Sequence, residues 1–294
     1  MDSSEKISGF SKLATTEKQR LIANLRLLGD ADIERFNVFE TRDDAVRERF
    51  SRFSENTLTA HALPFGIVPN VLIDGVTHHV PAVTEESSVI AAASKAASFW
   101  YERGGFFTIG QDDLKNGQIY FLCPCQFQWV VDYHQELFQF LKYESAVLTS
   151  NMEKRGGGVS KFSVEPLSSV QQNLFKLTIY FRTADSMGAN FINSVLEHMA
   201  KKLVEFALQK NIEPPQIIMS ILSNYTPESF VTMGVSCPAP DLTWDETLDG
   251  EAFAQKFVLA MQIAQTDTSR AVTHNKGIMN GVDAVVLATG NDFR

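Results

Sequence analysis

Cysteine is nearly missing from this chain: Cys123, Cys125 and Cys237 are the only three in 294 residues. Three cannot form a disulfide framework, and a lone CPC pair lacks the spacing of a structural zinc site. They read as small core or strand residues, and no metal is expected. No apolar run approaches the roughly 20 residues needed to span a bilayer. The N-terminus, MDSSEKISGFSKL, is polar and charged where a signal peptide carries an apolar core. The expectation is a cytoplasmic protein with no membrane partner. Blocks of like charge are missing too. The net charge of −9 is spread along the chain, which argues against nucleic acid or an anionic membrane but leaves room for a local basic site facing an anionic ligand. There is neither a GxGxxG between a strand and a helix nor a Walker sequence, so nucleotide binding would need some other arrangement.

What is present is a 44% hydrophobic chain of about two-domain length, with ample apolar residues for buried cores. Residues 15–50 are charge-rich, with Leu21, Ile22, Leu25, Leu27 and Leu28 spaced for short surface helices that break near Gly29 and Asp30. The first half of residues 55–105 is extended and punctuated by prolines and glycines. From Ser88 the run SVIAAASKAASFWYER is rich in small residues, the composition of a helix packed on all sides. Two carboxylates, Glu85 and Glu86, stand before it.

Between about 113 and 222 the order of elements is β-α-β-β-α-β. QIYFLCPC reads as a strand, WVVDYHQELFQFLKYESAVL as a helix, SKFSVEP and NLFKLTIYFRT as strands, GANFINSVLEHMAKKLVEFALQK as a helix and PQIIMSIL as a strand. Phe191, Val195, Met199, Leu203 and Phe206 recur at helical spacing and should lie on a sheet. A ferredoxin-like sandwich follows. The fold class is therefore α+β or α/β, a large, mainly helical domain (1–112 and 223–294) interrupted by a small ferredoxin-like domain (113–222).

Two loops of the small domain could hold an anion: KRGGG (154–158), with Lys154 and Arg155, and ADSMGAN (184–190), which opens the long helix and exposes its unpaired N–H groups. Glycine-rich turns before helices are usually only turns. In the last segment Lys276, read as part of a polar loop, could stay cationic and donate to a developing oxyanion, and Glu86 at the head of an apolar helix is a candidate acid. A glycine-flanked lysine is most often merely solvated, a first-turn glutamate most often serves the helix dipole, and Asp292 reads equally as an N-cap. From these residues alone the reading stops at a two-domain α/β protein that binds an anionic cofactor.

Seven blocks taken together carry a resemblance: ENTL…LPFGIVPN (55–70), VPAVTEESSVIAAAS (80–94), RGGG (155–158), DSMGAN…N (185–193), ILSN (221–224), R…THNKGIMNG (270–281) and ATGNDFR (288–294). The set resembles 3-hydroxy-3-methylglutaryl-CoA reductase, the bacterial class II form in particular, from residue 55 to the end. The resemblance implies a two-step, four-electron reduction of 3-hydroxy-3-methylglutaryl-CoA to mevalonate and CoA, through a hemithioacetal and an aldehyde, or its reverse.

It implies a role for each matching residue. Glu86 would handle the proton of aldehyde reduction, Lys276 would stabilise the carbonyl oxygen, and Asp292 would hydrogen-bond between them. Arg270 and Asn280 would bind the glutaryl carboxylate and hydroxyl, with a further hydrogen bond from Ser88. Lys12, in GFSKL, would touch CoA, in a region where the family often has arginine at the place of Ser11. Asp185, Met187, Gly188 and Asn190 would form the cofactor loop, supported by Asn193 and Asn224. Where NADH-preferring relatives carry an acid before RGGG, this chain offers Thr149 or Ser150, which tips the expectation toward NADPH over NADH. A homodimer with its active site at the interface, near Glu55 and Asn56, is also implied.

Family members continue beyond GNDFR, completing the large domain and adding a flap whose histidine protonates the departing CoA thiolate. None of the six histidines here (His61, His78, His79, His134, His198, His274) sits in a matching motif. The chain is accordingly expected to correspond to the N-terminal two-thirds, turning over thioester poorly and mevaldehyde better. The rival expectation is a non-catalytic remnant that binds a CoA ester or nucleotide or assembles with a partner.

Overall fold

The structure is a computed structural model and describes residues 9–24, 41–123, 128–243 and 249–293. Contacts divide the chain into two units, Met1–Gly105 with Cys237–Arg294 and Phe106–Ser236.

In the second unit a 16-residue strand, β3 (Phe107–Leu122), does two jobs. Its second half is the centre of a sheet ordered β4-β5-β3-β6, with β4 at Gly158–Pro166, β5 at Leu174–Arg182 and β6 at Gln216–Leu222. All three neighbouring pairs are antiparallel. Its first half pairs with β7 (Ser229–Gly234). The unit therefore begins and ends several residues outside the 113–222 drawn from the sequence, because Phe107–Asp113 already belongs to the strand that organises it. The crossover helix after β3 is broken into α4 (Gln128–Asp132), α5 (His134–Glu144) and α6 (Ala146–Glu153), and α7 (Ala189–Gln209) connects β5 to β6. This order and pairing is that of a ferredoxin-like sandwich.

Its core follows from periodicity. Ile119 and Phe121 alternate inward on β3, as do Leu177, Ile179 and Phe181 on β5, against Val195, Met199, Leu203 and Phe206 of α7. All of these are at most 1% exposed, whereas Phe191 at the head of the stripe is only partly buried. Cys123 closes the core and accepts a hydrogen bond from Trp129 Nε1 at 3.2 Å. Cys125 lies outside the described residues.

In the first unit, α1 (Thr15–Ile22) and α2 (Asp44–Ser51) are the short helices expected of the charged arm. Leu25, Leu27, Leu28 and the break at Gly29 and Asp30 lie outside the described residues. The extended segment forms a hairpin, β1 (Phe65–Ile73) with β2 (Val76–Val83), followed by α3 (Ser87–Tyr101). The expectation that α3 is packed on all sides is corrected: only Ala97 is buried, with Ile90 and Ala93 half-buried against Val68 and Ala82 of the hairpin. Small residues let that one face approach closely; they do not cover the others.

The segment read as polar loop around Lys276 is instead helical. α8 (Gly250–Thr266) leads into α9 (Thr268–Ala288). Asp267 starts α9 by accepting from Arg270 N at 2.7 Å. Gly277 and Gly281 each disfavour a helix interior by about 1 kcal/mol relative to alanine, which is why local composition pointed elsewhere. Tertiary packing overrides them: Ala284 is 2% exposed in the cluster with Val68, Ala82 and Ala97.

Candidate functional site

Two places gather the candidate residues, one in each unit. In the first unit Glu86 is the N-cap position of α3, but its side chain caps nothing there. It reaches α9 instead. Lys276 Nζ donates to Glu86 Oε2 at 2.8 Å and Asn280 Nδ2 to the same oxygen at 3.1 Å. Lys276 and Asn280 are four residues apart, one helical turn, so the helix aims both at one point. The pair is well exposed, with Lys276 61% and Glu86 44% open to solvent. An ion pair in that setting contributes about 0–1 kcal/mol, so stability does not explain it. Glu86, read as a candidate acid at the head of an apolar helix, is therefore a half-exposed carboxylate paired with a lysine.

Among the described residues Glu86 Oε1 carries no hydrogen bond, and Lys276 keeps two unused N–H groups. The cluster thus offers an acceptor for a proton beside donors for an oxyanion. Ser88 lies one residue into α3 and Arg270 in the first turn of α9, both exposed. Asp292 stands beyond the end of α9, in the exposed stretch that follows Gly290. Lys12 ends a short 3-10 turn, Phe10–Lys12.

In the second unit the two glycine-rich loops, separate in sequence, share one cleft. It has a volume of about 440 Å³ and is bordered by Asn151 and Arg155 on one side and by the Ser186–Phe191 stretch on the other. Arg155 Nη1 pairs with Asp185 Oδ1 at 3.0 Å. Gly157 passes so close to the Arg182 carbonyl that any side chain there would overlap it. Gly188, at φ 79°, is the N-cap of α7, and a Cβ would lie 2.6 Å from Thr183 Cγ2. The first three residues of α7, Ala189, Asn190 and Phe191, border the cleft, and amides at a helix start have no partner within the helix, which suits an anionic group. Asn193 Oδ1 accepts from Leu222 N at 2.9 Å, tying α7 to β6, and Asn224 is exposed just past that strand.

Thr149 is a correction. It is fully buried, and its hydroxyl donates to Glu153 Oε1 at 2.8 Å, within its own helix. Leu148 and Asn151, its neighbours on the helix, border the cleft instead. The resemblance pointed to a residue of the helix that borders the cleft, but not to the face that helix turns toward it.

Two residues escaped sequence reading. Asp113 Oδ2 accepts from Ala184 N at 3.1 Å, and Lys115 Nζ donates to the Met187 carbonyl at 2.9 Å, so both hold the 184–187 loop. DDLKNG places charged residues at i and i+2 of a strand, which share a face, but carries nothing to say what they grip. Arg182 Nη1 contacts Asp112 Oδ1 and Asp113 Oδ1, each at 2.6 Å. The Arg182 hydrogen bond, then the Asp113 amide, hold the Asp112 carboxyl below its usual range. Burial pushes the Lys115 ammonium down, opposed by Asp113.

Fold and site together define a two-unit α+β protein with a carboxylate–ammonium–amide cluster in one unit and a cleft at a helix N-terminus in the other. The family model for hydroxymethylglutaryl-coenzyme A reductase matches residues 14–294, and the chain belongs to that family. The 3-hydroxy-3-methylglutaryl-coenzyme A reductase of Archaeoglobus fulgidus is 29% identical over 99% of this chain and 63% of its own length. A relative in Borreliella burgdorferi is likewise 29% identical, with 64% of its length covered. The chain thus spans less than two thirds of these curated relatives. Among solved structures, a 3-hydroxy-3-methylglutaryl-coenzyme A reductase of Streptococcus pneumoniae is 33% identical with a TM-score of 0.75, over 99% of this chain and 75% of that one. A class II enzyme from the same organism, bound to NADPH in open conformations, has a TM-score of 0.72 over 99% of this chain and 76% of its own, at 33% identity.

Proposed function

We propose that this chain carries the catalytic cluster and the cofactor cleft of a class II 3-hydroxy-3-methylglutaryl-CoA reductase. The substrate would be the CoA thioester, reduced through a hemithioacetal and an aldehyde to mevalonate with release of CoA, or the reverse, as a step of isoprenoid supply or mevalonate breakdown. The observation that carries the reading is the convergence of Lys276 and Asn280 on one oxygen of Glu86, 190 and 194 residues away in sequence.

Lys276 directs its free N–H groups at the carbonyl oxygen and stabilises the charge that develops there. Asn280 orients the Glu86 carboxylate and offers its amide to the substrate hydroxyl. Glu86 exchanges a proton with the product oxygen through Oε1. Arg270 supplies a counter-charge for the glutaryl carboxylate, Ser88 a hydrogen bond and Lys12 a contact with CoA. Asp292 links the cluster from beyond α9.

The nicotinamide cofactor, NADPH in preference to NADH, supplies hydride when bound. The residues of the second unit suit such an anion. Arg155 and the first amides of α7 would hold its phosphates, with Asp185, Met187, Gly188 and Asn190 shaping the loop and Asn193 and Asn224 supporting it. Among the described residues no helix is long and apolar enough to cross a membrane. A cytoplasmic homodimer with its active site at the interface is the accompanying proposal, supported by Phe257, Leu259 and Ile263 of α8 and Val272 and Ile278 of α9, all large, apolar and exposed.

The test is cofactor oxidation with mevaldehyde and with the CoA thioester, comparing the parent with Glu86→Gln and Lys276→Ala. Each substitution is expected to slow mevaldehyde reduction at least about 100-fold, with cofactor affinity and melting temperature close to the parent's. Variants within threefold of an active parent would refute the assignment. A parent that binds both ligands but oxidises no cofactor would point to the non-catalytic alternative.

A further inference from the structure

Among the described residues six non-glycine positions have positive φ. Five are Asn or Asp, which tolerate that region; the sixth is Ala184, at φ 50°. Alanine has no side-chain group to stabilise a left-handed backbone, so something outside the residue must hold it. That group is Asp113, whose Oδ2 takes the Ala184 amide while its Oδ1 is fixed by Arg182. Beside it the Thr183 hydroxyl is buried without a partner among the described residues. Two local costs therefore fall on adjacent residues at the start of the loop that leads into α7, and strain of this kind persists only where surrounding contacts over-determine it. A second tie acts at the other end of the loop, where Lys115 holds the Met187 carbonyl. Asp113 and Lys115 lie on one face of β3, so a rigid central strand grips the loop at both ends.

We propose that Asp113 is a positioning residue for the cofactor: by clamping Ala184 in the left-handed conformation it presets the 184–188 loop and aims the α7 amides at the bound dinucleotide. This rests on the reading of that cleft as the nicotinamide-cofactor site. Asp113 does its work through the backbone of Ala184, with Arg182 keeping its carboxylate in place and Lys115 completing the grip. Binding then carries little of the entropy of ordering the loop.

The experiment is the dissociation constant of NADPH and of NADH, read from the fluorescence of the reduced nicotinamide, for the parent, Asp113→Ala, Asp113→Asn and the double variant Asp113→Ala with Ala184→Gly. Asp113→Ala is expected to weaken binding about tenfold. Asp113→Asn keeps an acceptor for the Ala184 amide and should retain most of the affinity. The double variant should recover most of it, because glycine adopts positive φ without help. A merely structural role would lower the melting temperature and would not be relieved by a glycine that replaces no lost contact. Affinity within twofold of the parent for Asp113→Ala, or no recovery in the double variant, overturns the proposal while leaving the cofactor reading intact. A parent that binds neither cofactor refutes both.

Discussion

At the scale of single residues, position on a helix decides which candidate side chains meet. Lys276 matters because Asn280 is one turn away and both meet Glu86. Thr149 does not face the cleft because its helix turns it into the core, and Asn151 takes its place at the border. On the proposed reading of the cleft as the cofactor site, Asn151 is the position at which cofactor choice would be changed. A carboxylate there would oppose a 2′-phosphate but could accept from ribose hydroxyls. Asn151→Asp is expected to weaken NADPH binding about tenfold and to leave NADH within about threefold. Equal effects on both, measured by fluorescence titration, would move the adenosine end of the cofactor elsewhere. The candidates Glu86, Lys276 and the loop residues could be picked out of the sequence because motif blocks carry them. Asp113 and Lys115 were not, since a charged pair on a strand says nothing of what it grips until β5 and the following loop are folded against it.

At the scale of elements, β3 links charge to loop geometry. The Arg182 guanidinium and the Asp113 amide favour the ionised Asp112 carboxylate, so its folded pKa lies below its unfolded value near 3.9. The sign follows by linkage. A depressed carboxylate contributes stability above the unfolded pKa, and that contribution is lost as pH falls through the folded value. The second unit should therefore melt progressively lower below about pH 4, and Asp112→Asn should flatten part of that acid-side slope. A variant whose melting temperature falls with pH as steeply as the parent's would show that this cluster does not govern the transition. Among helices, α7 was readable because its apolar stripe repeats at helical spacing. α9 was not, because Gly277, Gly281 and a polar first half lower its intrinsic propensity, and what stabilises it is contact between Ala284 and the hairpin.

At the scale of the whole molecule, the two units are unequal in core. Twenty-one buried residues form one cluster in the second unit, while the cluster in the first has four among the described residues. Buried apolar area contributes roughly 25 cal/mol per Å², so the second unit should be the more stable. Calorimetry is expected to resolve two transitions, the higher one matching that of a separate fragment spanning residues 106–236. A single transition, with the fragment unfolded, would mean that the ferredoxin-like unit depends on the rest of the chain.

The sequence by itself determined the order of elements in the small unit, the stripe of α7 and the interruption of one unit by another, because these depend on local periodicity and composition, while the residues proposed for both sites came from motif blocks shared with the family. Tertiary structure alone decided that two glycine-rich loops form one cleft, that Lys276 sits on a helix, that α3 buries a single face and that Asp113 holds Ala184. Each of these joins segments distant in sequence. Their energies come from packing and hydrogen bonding between elements, terms that exist only once the chain has brought the partners together.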